Sequence, residues 1–171
     1  GQPARFQRLQ SFRPVFGCDW GFASTPKTFA MADCEPAPPA PNHVIEVNLQ
    51  VTQDTTVPPS PGANAPVDCL GQAAIASTLP NTPPNTSSYF VSNRYSIGTR
   101  AGSQVPELYC ESDLAGTSRQ PLAENVADMR LAYGVSDASS AATPSKRPPV
   151  RYVKGSDLAA GDWANVVAVR L

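Results

Sequence analysis

Few residues of this chain combine types and spacing that could support catalysis. The only histidine, His43, lies in PNHV directly before a predicted strand, and the chain contains no GxSxG motif. Nucleophilic catalysis requires a nucleophile, a base within hydrogen-bond reach and a group that orients the base. We therefore interpret His43 as a water-exposed histidine at a strand edge and predict that the chain is not an enzyme.

The acidic residues form no more specific pattern. A carboxylate pair for glycoside hydrolysis could be drawn from several positions, but any chain with fourteen acids offers such pairs. Neither a calcium loop nor a glycine-rich phosphate loop is present. We interpret the carboxylates beside the cysteines as solvated loop residues, and we predict no metal, no cofactor and no small-molecule substrate. The acids considered are Glu107, Glu111, Asp113, Glu124 and Asp128 for the pair, and Asp33, Glu35 and Asp68 beside cysteines.

The charge balance argues against polyanionic partners. Thirteen basic and fourteen acidic residues leave a net charge of -1, so nucleic acid and anionic membranes are not expected to bind. The basic group Lys146, Arg147 and Arg151 is interpreted as a solvated loop. No apolar run approaches the roughly 18 residues of a membrane helix. Because Gly1 stands at the start instead of Met, we expect a processed or trimmed end.

The four cysteines have a clearer physical meaning. Their number is even and their spacing fits no zinc motif, so two disulfides are favoured over four buried thiols in a cytosolic protein. Each disulfide would contribute about 2–4 kcal/mol and implies an oxidising compartment. Proximity favours Cys18 with Cys34 and Cys69 with Cys110, although four cysteines allow three pairings and spacing alone does not choose among them.

Composition and periodicity indicate the elements that position these residues. Nineteen prolines and eleven glycines, with 16% charged residues, are typical of a loop-rich and β-rich chain whose length fits one domain, residues 1–171. Alternating apolar residues predict strands at Val44–Val51 and Tyr89–Ile97. The turn Gly98–Ser103 predicts a hairpin in which Val105–Glu111 is the returning strand.

The last third of the chain is expected to organise the rest. Within Pro121–Val135, the apolar period changes from 3.6 to 2 near Met129, which predicts a short helix running into a strand. Alternation over Val166–Leu171 predicts its sheet partner. Helical spacing in Arg5–Phe16 indicates another short helix, so the predicted fold class is α+β with an antiparallel sheet.

Several segments resemble, in order along the chain, the PilW family of type IV pilus minor pilins. The most specific are LAENVADMRLAYGV (Leu122–Val135), RYV (Arg151–Val153) and DWANVVAVRL (Asp162–Leu171). Shorter similarities lie in FRPVFGCD, DCLGQ and YFVSNRYSI. The loop Ser136–Pro149 holds a single acid, Asp137, whereas the corresponding family loop is often acidic, so no metal site is carried over.

The resemblance implies a pilin-like fold, in which a long N-terminal helix lies against an antiparallel sheet with disulfide-pinned loops. By this resemblance, we expect the membrane half of that helix to be missing from the sequence. An apolar strip should therefore be exposed, or be covered by Arg5–Phe16. The side chains expected to pack the sheet against the helix are Leu122, Val126, Met129, Tyr133 and Trp163.

The implied function is that of a non-enzymatic minor pilin that primes pilus assembly. Its partners would be other minor pilins and a pilus-tip adhesin, with membrane contact only through the missing helix. The implied location is the inner membrane and periplasm, then the surface pilus of a Gram-negative bacterium. Three alternatives stay open: a type II secretion pseudopilin, a cell-surface module that binds glycan or DNA through loops such as Thr52–Val67, and an extracellular hydrolase that uses His43.

Overall fold

In the computed structural model, the described part of the chain contains nine strands, which form two antiparallel sheets. The structure describes residues 15–23, 34–36, 42–51, 66–74, 76–77, 88–112, 118–137 and 147–171. Two 3-10 turns, Gly155–Asp157 and Asp162–Asn165, are the helical segments of these ranges. The strands are β1 Val15–Cys18, β2 Val44–Val51, β3 Ala76–Ser77, β4 Ser88–Thr99, β5 Pro106–Ser112, β6 Gln120–Glu124, β7 Ala132–Val135, β8 Arg151–Val153 and β9 Val166–Arg170.

The large sheet has the order β1-β2-β4-β5-β6, and β3 pairs with the start of β4. Its centre is the long pairing of β2 with β4, which places Glu46 opposite Arg94 and Ile45 opposite Tyr95. Because neighbouring residues of a strand point to opposite faces, Ile45 and Tyr95 share one face while Glu46 and Arg94 share the other. The predicted hairpin of β4 and β5 is present, with Asn93 opposite Ser112 and Thr99 opposite Pro106.

The small sheet consists of β7 between β8 and β9. Tyr133 of β7 lies opposite both Val153 of β8 and Val169 of β9. The sequence-based prediction that the strand ending in Tyr-Gly-Val pairs with the last strand is therefore confirmed. Alternation along β7 directs Tyr133 and Gly134 to opposite faces of the sheet.

One hydrophobic cluster joins the two sheets. Its buried members are Ile45 from the large sheet, and Leu131, Tyr133, Trp163 and Val166 from the small sheet and its flanks. The rings of Tyr133 and Trp163 meet edge to face with centroids 4.7 Å apart, and Phe16 of β1 packs on Trp163 at 4.6 Å. Apolar burial of this kind is the main driving force for holding two layers together.

The predicted α+β class, with an N-terminal helix, is wrong. The structure is built from two antiparallel sheets and has no α-helix in the residues that it describes. Residues 5–14 of the predicted first helix lie outside the described ranges. Val15 and Phe16, the last residues of that prediction, belong to β1 and pair with Val47 and Glu46.

The helix predicted from Pro121 to Met129 is also replaced by extended chain. Residues Gln120–Glu124 form β6, which pairs with β5, and Asn125 then adopts a left-handed backbone with φ 61°. A left-handed residue interrupts a right-handed helix, and Asn tolerates that conformation better than most residues do. The helical spacing of Leu122, Val126 and Met129 was therefore coincidental, and the following strand is shorter than predicted, Ala132–Val135.

Candidate functional site

Each disulfide joins a strand of the large sheet to a cysteine outside the named strands. Cys18, the last residue of β1, is bonded to Cys34, and Cys69 is bonded to Cys110 of β5, with Cα atoms 5.4 and 6.4 Å apart. Cys18 and Cys110 are fully buried, and none of the four thiols is free. These are the two pairs that proximity in sequence favours. Each one attaches an irregular segment to the large sheet.

The turn that carries Cys69 is organised by its neighbour Asp68. Oδ1 of Asp68 accepts hydrogen bonds from the backbone N–H groups of Leu70 and Gln72, at 2.8 and 2.9 Å. The N–H of Cys69 donates to the side-chain oxygen of Asn93 in β4, 3.1 Å away. Asp68 is thus a structural turn residue, and the solvated loop carboxylate expected at this position is in fact buried.

A buried carboxylate links the large sheet to the small one. Asp19 follows β1 and accepts hydrogen bonds from the N–H groups of Gly155 and Ser156, at 3.1 and 3.0 Å. These two residues begin the 3-10 turn after β8. Since Asp19 lies next to the Cys18 disulfide, the covalent link and the two charge-assisted hydrogen bonds together fix the junction that we call the Asp19 latch.

The Asp19 latch is closely packed around Tyr133. A Cβ atom added to Gly17 would overlap the Tyr133 hydroxyl and lie 2.7 Å from its Cζ, while one added to Gly155 would lie 3.1 Å from Asp19 Oδ1. Glycine at these two positions allows β1, the turn and the tyrosine ring to meet. The hydroxyl of Tyr133 is buried without a hydrogen-bond partner. Burial, together with the negative charge of Asp19, raises the pKa of Tyr133 well above its usual value.

His43 lies beside the latch and is not the water-exposed histidine that was expected. Its side chain is only 13% exposed, and its Nδ1 atom lies 3.5 Å from Asp19 Oδ1. The backbone N–H of Leu131 points at the same Nδ1 atom from 3.4 Å. The histidine therefore packs between the start of β2 and the segment before β7, where it contacts both sheets.

The face of the large sheet opposite the hydrophobic cluster contains a buried ion pair. Arg94 Nη2 lies 3.1 Å from Glu46 Oε2, and both side chains are less than 10% exposed. The Arg94 guanidinium also stacks on the ring of Phe22, with 3.9 Å to the centroid. The bridge between Phe22 and Cys34 holds that ring beside the sheet. The two buried charges are thus paired with each other.

A second buried carboxylate, Glu107 of β5, lies further along the same face. It accepts a 2.5 Å hydrogen bond from the Tyr109 hydroxyl and a 2.8 Å bond from Arg100. The hydrogen bond to Glu107 raises the pKa of Tyr109. The guanidinium of Arg119 stacks 4.0 Å from the Tyr109 ring, in space that exists because residue 98 is glycine.

The side chains predicted to pack the sheet do not all lie in one place. Tyr133 and Trp163 are central members of the hydrophobic cluster, and Met129 packs against it from the edge. Val126 is half-buried, whereas Leu122 in β6 is 47% exposed. The structure thus brings three of the five together.

The outer face of the small sheet carries exposed side chains along its two outer strands, whereas Gly134 of its middle strand is buried. We define it by the side chains that point away from the hydrophobic cluster: Ala132 and Gly134 from β7, Tyr152 and Lys154 from β8 and the residue after it, and Ala168 and Arg170 from β9. Tyr152 is 44% exposed, and Arg170 stacks over its ring at 5.0 Å. Val150, just before β8, is 65% exposed.

A family model described as Type IV Pilus-assembly protein W matches residues 89–171. This part of the chain belongs to the PilW family. The family predicted from the sequence is thereby confirmed. No curated protein and no solved structure matches the chain.

The PilW match covers nearly all of β4 and every later strand, so it includes the outer face of the small sheet. It associates the chain with type IV pilus assembly, with protein partners in the pilus system and with an envelope or pilus location. In the described ranges, none of the helices has the length and apolarity needed to cross a membrane. Nor do three metal-ligating side chains gather there.

Two buried carboxylates, one in the PilW region and one before it, could not be predicted from the sequence. Asp19 is part of the FRPVFGCD similarity, but nothing in that motif indicates a partner near residue 155. Glu107 occupies an alternating position in a predicted strand, which indicates a solvated face and not a buried hydrogen-bond network. Asp19 receives its hydrogen bonds from residues that are distant in sequence, whereas Glu107 receives them from Arg100 and Tyr109 in its own hairpin.

Proposed function

We propose that this chain is the head of a non-enzymatic minor pilin, which takes part in type IV pilus assembly through contacts with other minor pilins and with a tip adhesin. The observation that carries the proposal is the PilW match over residues 89–171. Two further features support it. They are the binding of the buried carboxylates by groups of the same protein, and the exposed side chains on the outer face of the small sheet.

The contacts of the buried carboxylates and of His43 support a structural role for these side chains and not a catalytic one. Asp19 is held by two backbone N–H groups, Glu46 by Arg94, and Glu107 by Tyr109 and Arg100. Catalytic carboxylates must instead reach a substrate. His43 faces Asp19 and the Leu131 N–H, which accounts for this histidine without a reaction.

The hydrophobic cluster supports a single head domain, because it draws residues from both sheets. A rigid head with paired internal charges and an exposed sheet face is suited to subunit contacts. We further propose that the head lies in the periplasm before assembly and on the cell surface once it is part of a pilus. The two disulfides fit both of these oxidising locations.

Deletion of the gene in its native host tests this proposal. We expect surface pili, measured as sheared major pilin, to fall sharply while the total cellular amount of major pilin stays unchanged. Complementation with the complete native gene should restore the pili. Normal piliation in the deletion strain would refute the proposal, and normal pili with a loss of exoprotein secretion would indicate a type II secretion pseudopilin instead.

A further inference from the structure

Two cations flank the middle strand on the outer face of the small sheet. Arg170 of β9 lies opposite Ala132 of β7. Lys154 follows Val153, which lies opposite Tyr133, and its backbone is still extended, so Lys154 continues β8 to the other side of Ala132. Strand spacing places the two cationic residues about 10 Å apart across the sheet. Both residues are exposed.

The next row across the sheet consists of Tyr152, Gly134 and Ala168. A Cβ at Gly134 would lie 2.9 Å from Pro149 Cβ and 3.1 Å from both Tyr152 Cε1 and the Ala168 methyl group, so the proline and the tyrosine ring together cover the glycine. The Arg170 guanidinium lies over that ring, 5.0 Å from its centroid. The arginine is thus held in place by stacking, which lowers the entropy that its planar fork loses when it binds an anion.

Neither Lys154 nor Arg170 forms an ion pair with any residue that the structure describes. Arg94, Arg100 and Arg130, in contrast, each hold a carboxylate within 3.1 Å. A stacked arginine and a nearby lysine that form no ion pair with a described residue give this face two cationic side chains available to a partner. A complementary partner would supply carboxylates.

We propose that the outer face of the small sheet binds an acidic segment of a partner protein. A carboxylate of that segment accepts two hydrogen bonds from the Arg170 fork, and a second carboxylate meets Lys154. The assignment of the partner to the pilus rests on the proposed function, whereas the chemistry of the face does not.

Binding of labelled peptides to the purified 171-residue chain tests this inference. One probe has alternating Glu and Ser, and the other has Gln in place of each Glu. We expect the Glu peptide to bind, with an affinity that falls as salt rises, and the Gln peptide not to bind. Arg170→Gln should weaken binding of the Glu peptide by about tenfold or more, since it removes a charge-assisted bidentate contact.

Arg151→Gln is the matched control. Arg151 lies on the same strand as Tyr152, is exposed and forms no ion pair in the described residues, but it points to the opposite face. This variant removes the same charge and should change binding less than about twofold. Tyr152→Leu, which removes the stack, should weaken binding, whereas Tyr152→Phe should keep the wild-type affinity.

Three results would overturn the inference. They are no binding of the Glu peptide, equal losses in Arg151→Gln and Arg170→Gln, and Arg170-dependent binding only to vesicles that contain phosphatidylglycerol. The last result would assign the face to a membrane surface. Failure of the proposed function is measured separately, because normal pili in the deletion strain would leave the peptide result unaffected.

Discussion

Replacement of Asp19 tests whether the latch between the two sheets stabilises the fold. In Asp19→Ala, the Gly155 and Ser156 N–H groups lose their acceptor oxygens, which lie 3.1 and 3.0 Å away in the wild type. A hydrogen bond to a charged group contributes about 1.5–3 kcal/mol. Gly155 is buried, whereas Ser156 is exposed and its N–H can bond to water instead. We therefore expect a loss of about 2–4 kcal/mol in the free energy of unfolding.

The assay is urea denaturation of the oxidised protein at neutral pH, combined with amide hydrogen exchange. Exchange of the Gly155 amide should accelerate along with the loss of stability, because that group is unpartnered without the carboxylate. Asp19→Asn keeps the shape of the side chain but converts one acceptor into a donor that faces an N–H group. It should also destabilise the protein.

Asp128→Asn is the control for the Asp19 variants. Asp128 pairs with Arg130 at 2.7 Å on the surface, where solvent screens the interaction, so its removal should leave the denaturation midpoint unchanged. If Asp19→Ala loses less than about 0.5 kcal/mol, the size of an ordinary surface substitution, the latch does not hold the sheets together and the reasoning is refuted.

Four further predictions concern the same junction and the disulfides. Tyr133→Phe removes a buried hydroxyl that has no partner, so it should leave stability unchanged or raise it by about 1 kcal/mol, as measured by urea denaturation; a clear loss would contradict this. Because the pKa of Tyr133 is raised in the folded state, the contribution of this residue to stability should be fully present below about pH 10 and should be lost at higher pH, where the unfolded tyrosine ionises first. Tyr133→Phe should therefore reduce the decrease in the free energy of unfolding at alkaline pH, as measured by denaturation at a series of pH values. Gly17→Ala should destabilise the protein by about 1–3 kcal/mol, and Tyr133→Phe should partly rescue it by removing the hydroxyl that the new methyl overlaps; equal losses in both backgrounds would argue against this contact. Replacing both cysteines of a pair with Ser should cost about 3 kcal/mol for Cys18–Cys34 and about 4 kcal/mol for Cys69–Cys110, because the second pair closes the longer loop; the reverse order in urea denaturation would contradict the loop-entropy argument.

The strands that carry clear alternation were predictable from local pattern. Val44–Val51 has the predicted bounds, and the β4–β5 hairpin and the pairing of β7 with β9 also agree with prediction. The extended chain over Pro121–Met129 could not be predicted from local pattern, because the spacing of apolar residues does not determine the backbone conformation. The left-handed backbone at Asn125 and the pairing of β6 with β5 depend on the neighbouring strand.

The candidate sites depended still more on the tertiary structure. Asp19 meets Gly155 across 136 positions, and His43 meets Leu131 across 88, so no local pattern could show that either side chain is buried. The outer face of the small sheet depends on register as well. Lys154, Tyr152 and Arg170 share a face only because β8 and β9 pair with β7 in the observed alignment.

The sequence by itself determined the alternating strands and the family, because both are encoded in residue types at short spacing, but it left three cysteine pairings open. The tertiary structure alone decided the fold class, the burial of Asp19 and Glu107, and the stacking of Arg170 on Tyr152. The physical reason is that burial of a polar group is determined by its partners. For Asp19 those partners lie at a turn 136 positions away, and for Glu107 they lie in its own strand and in the hairpin turn before it.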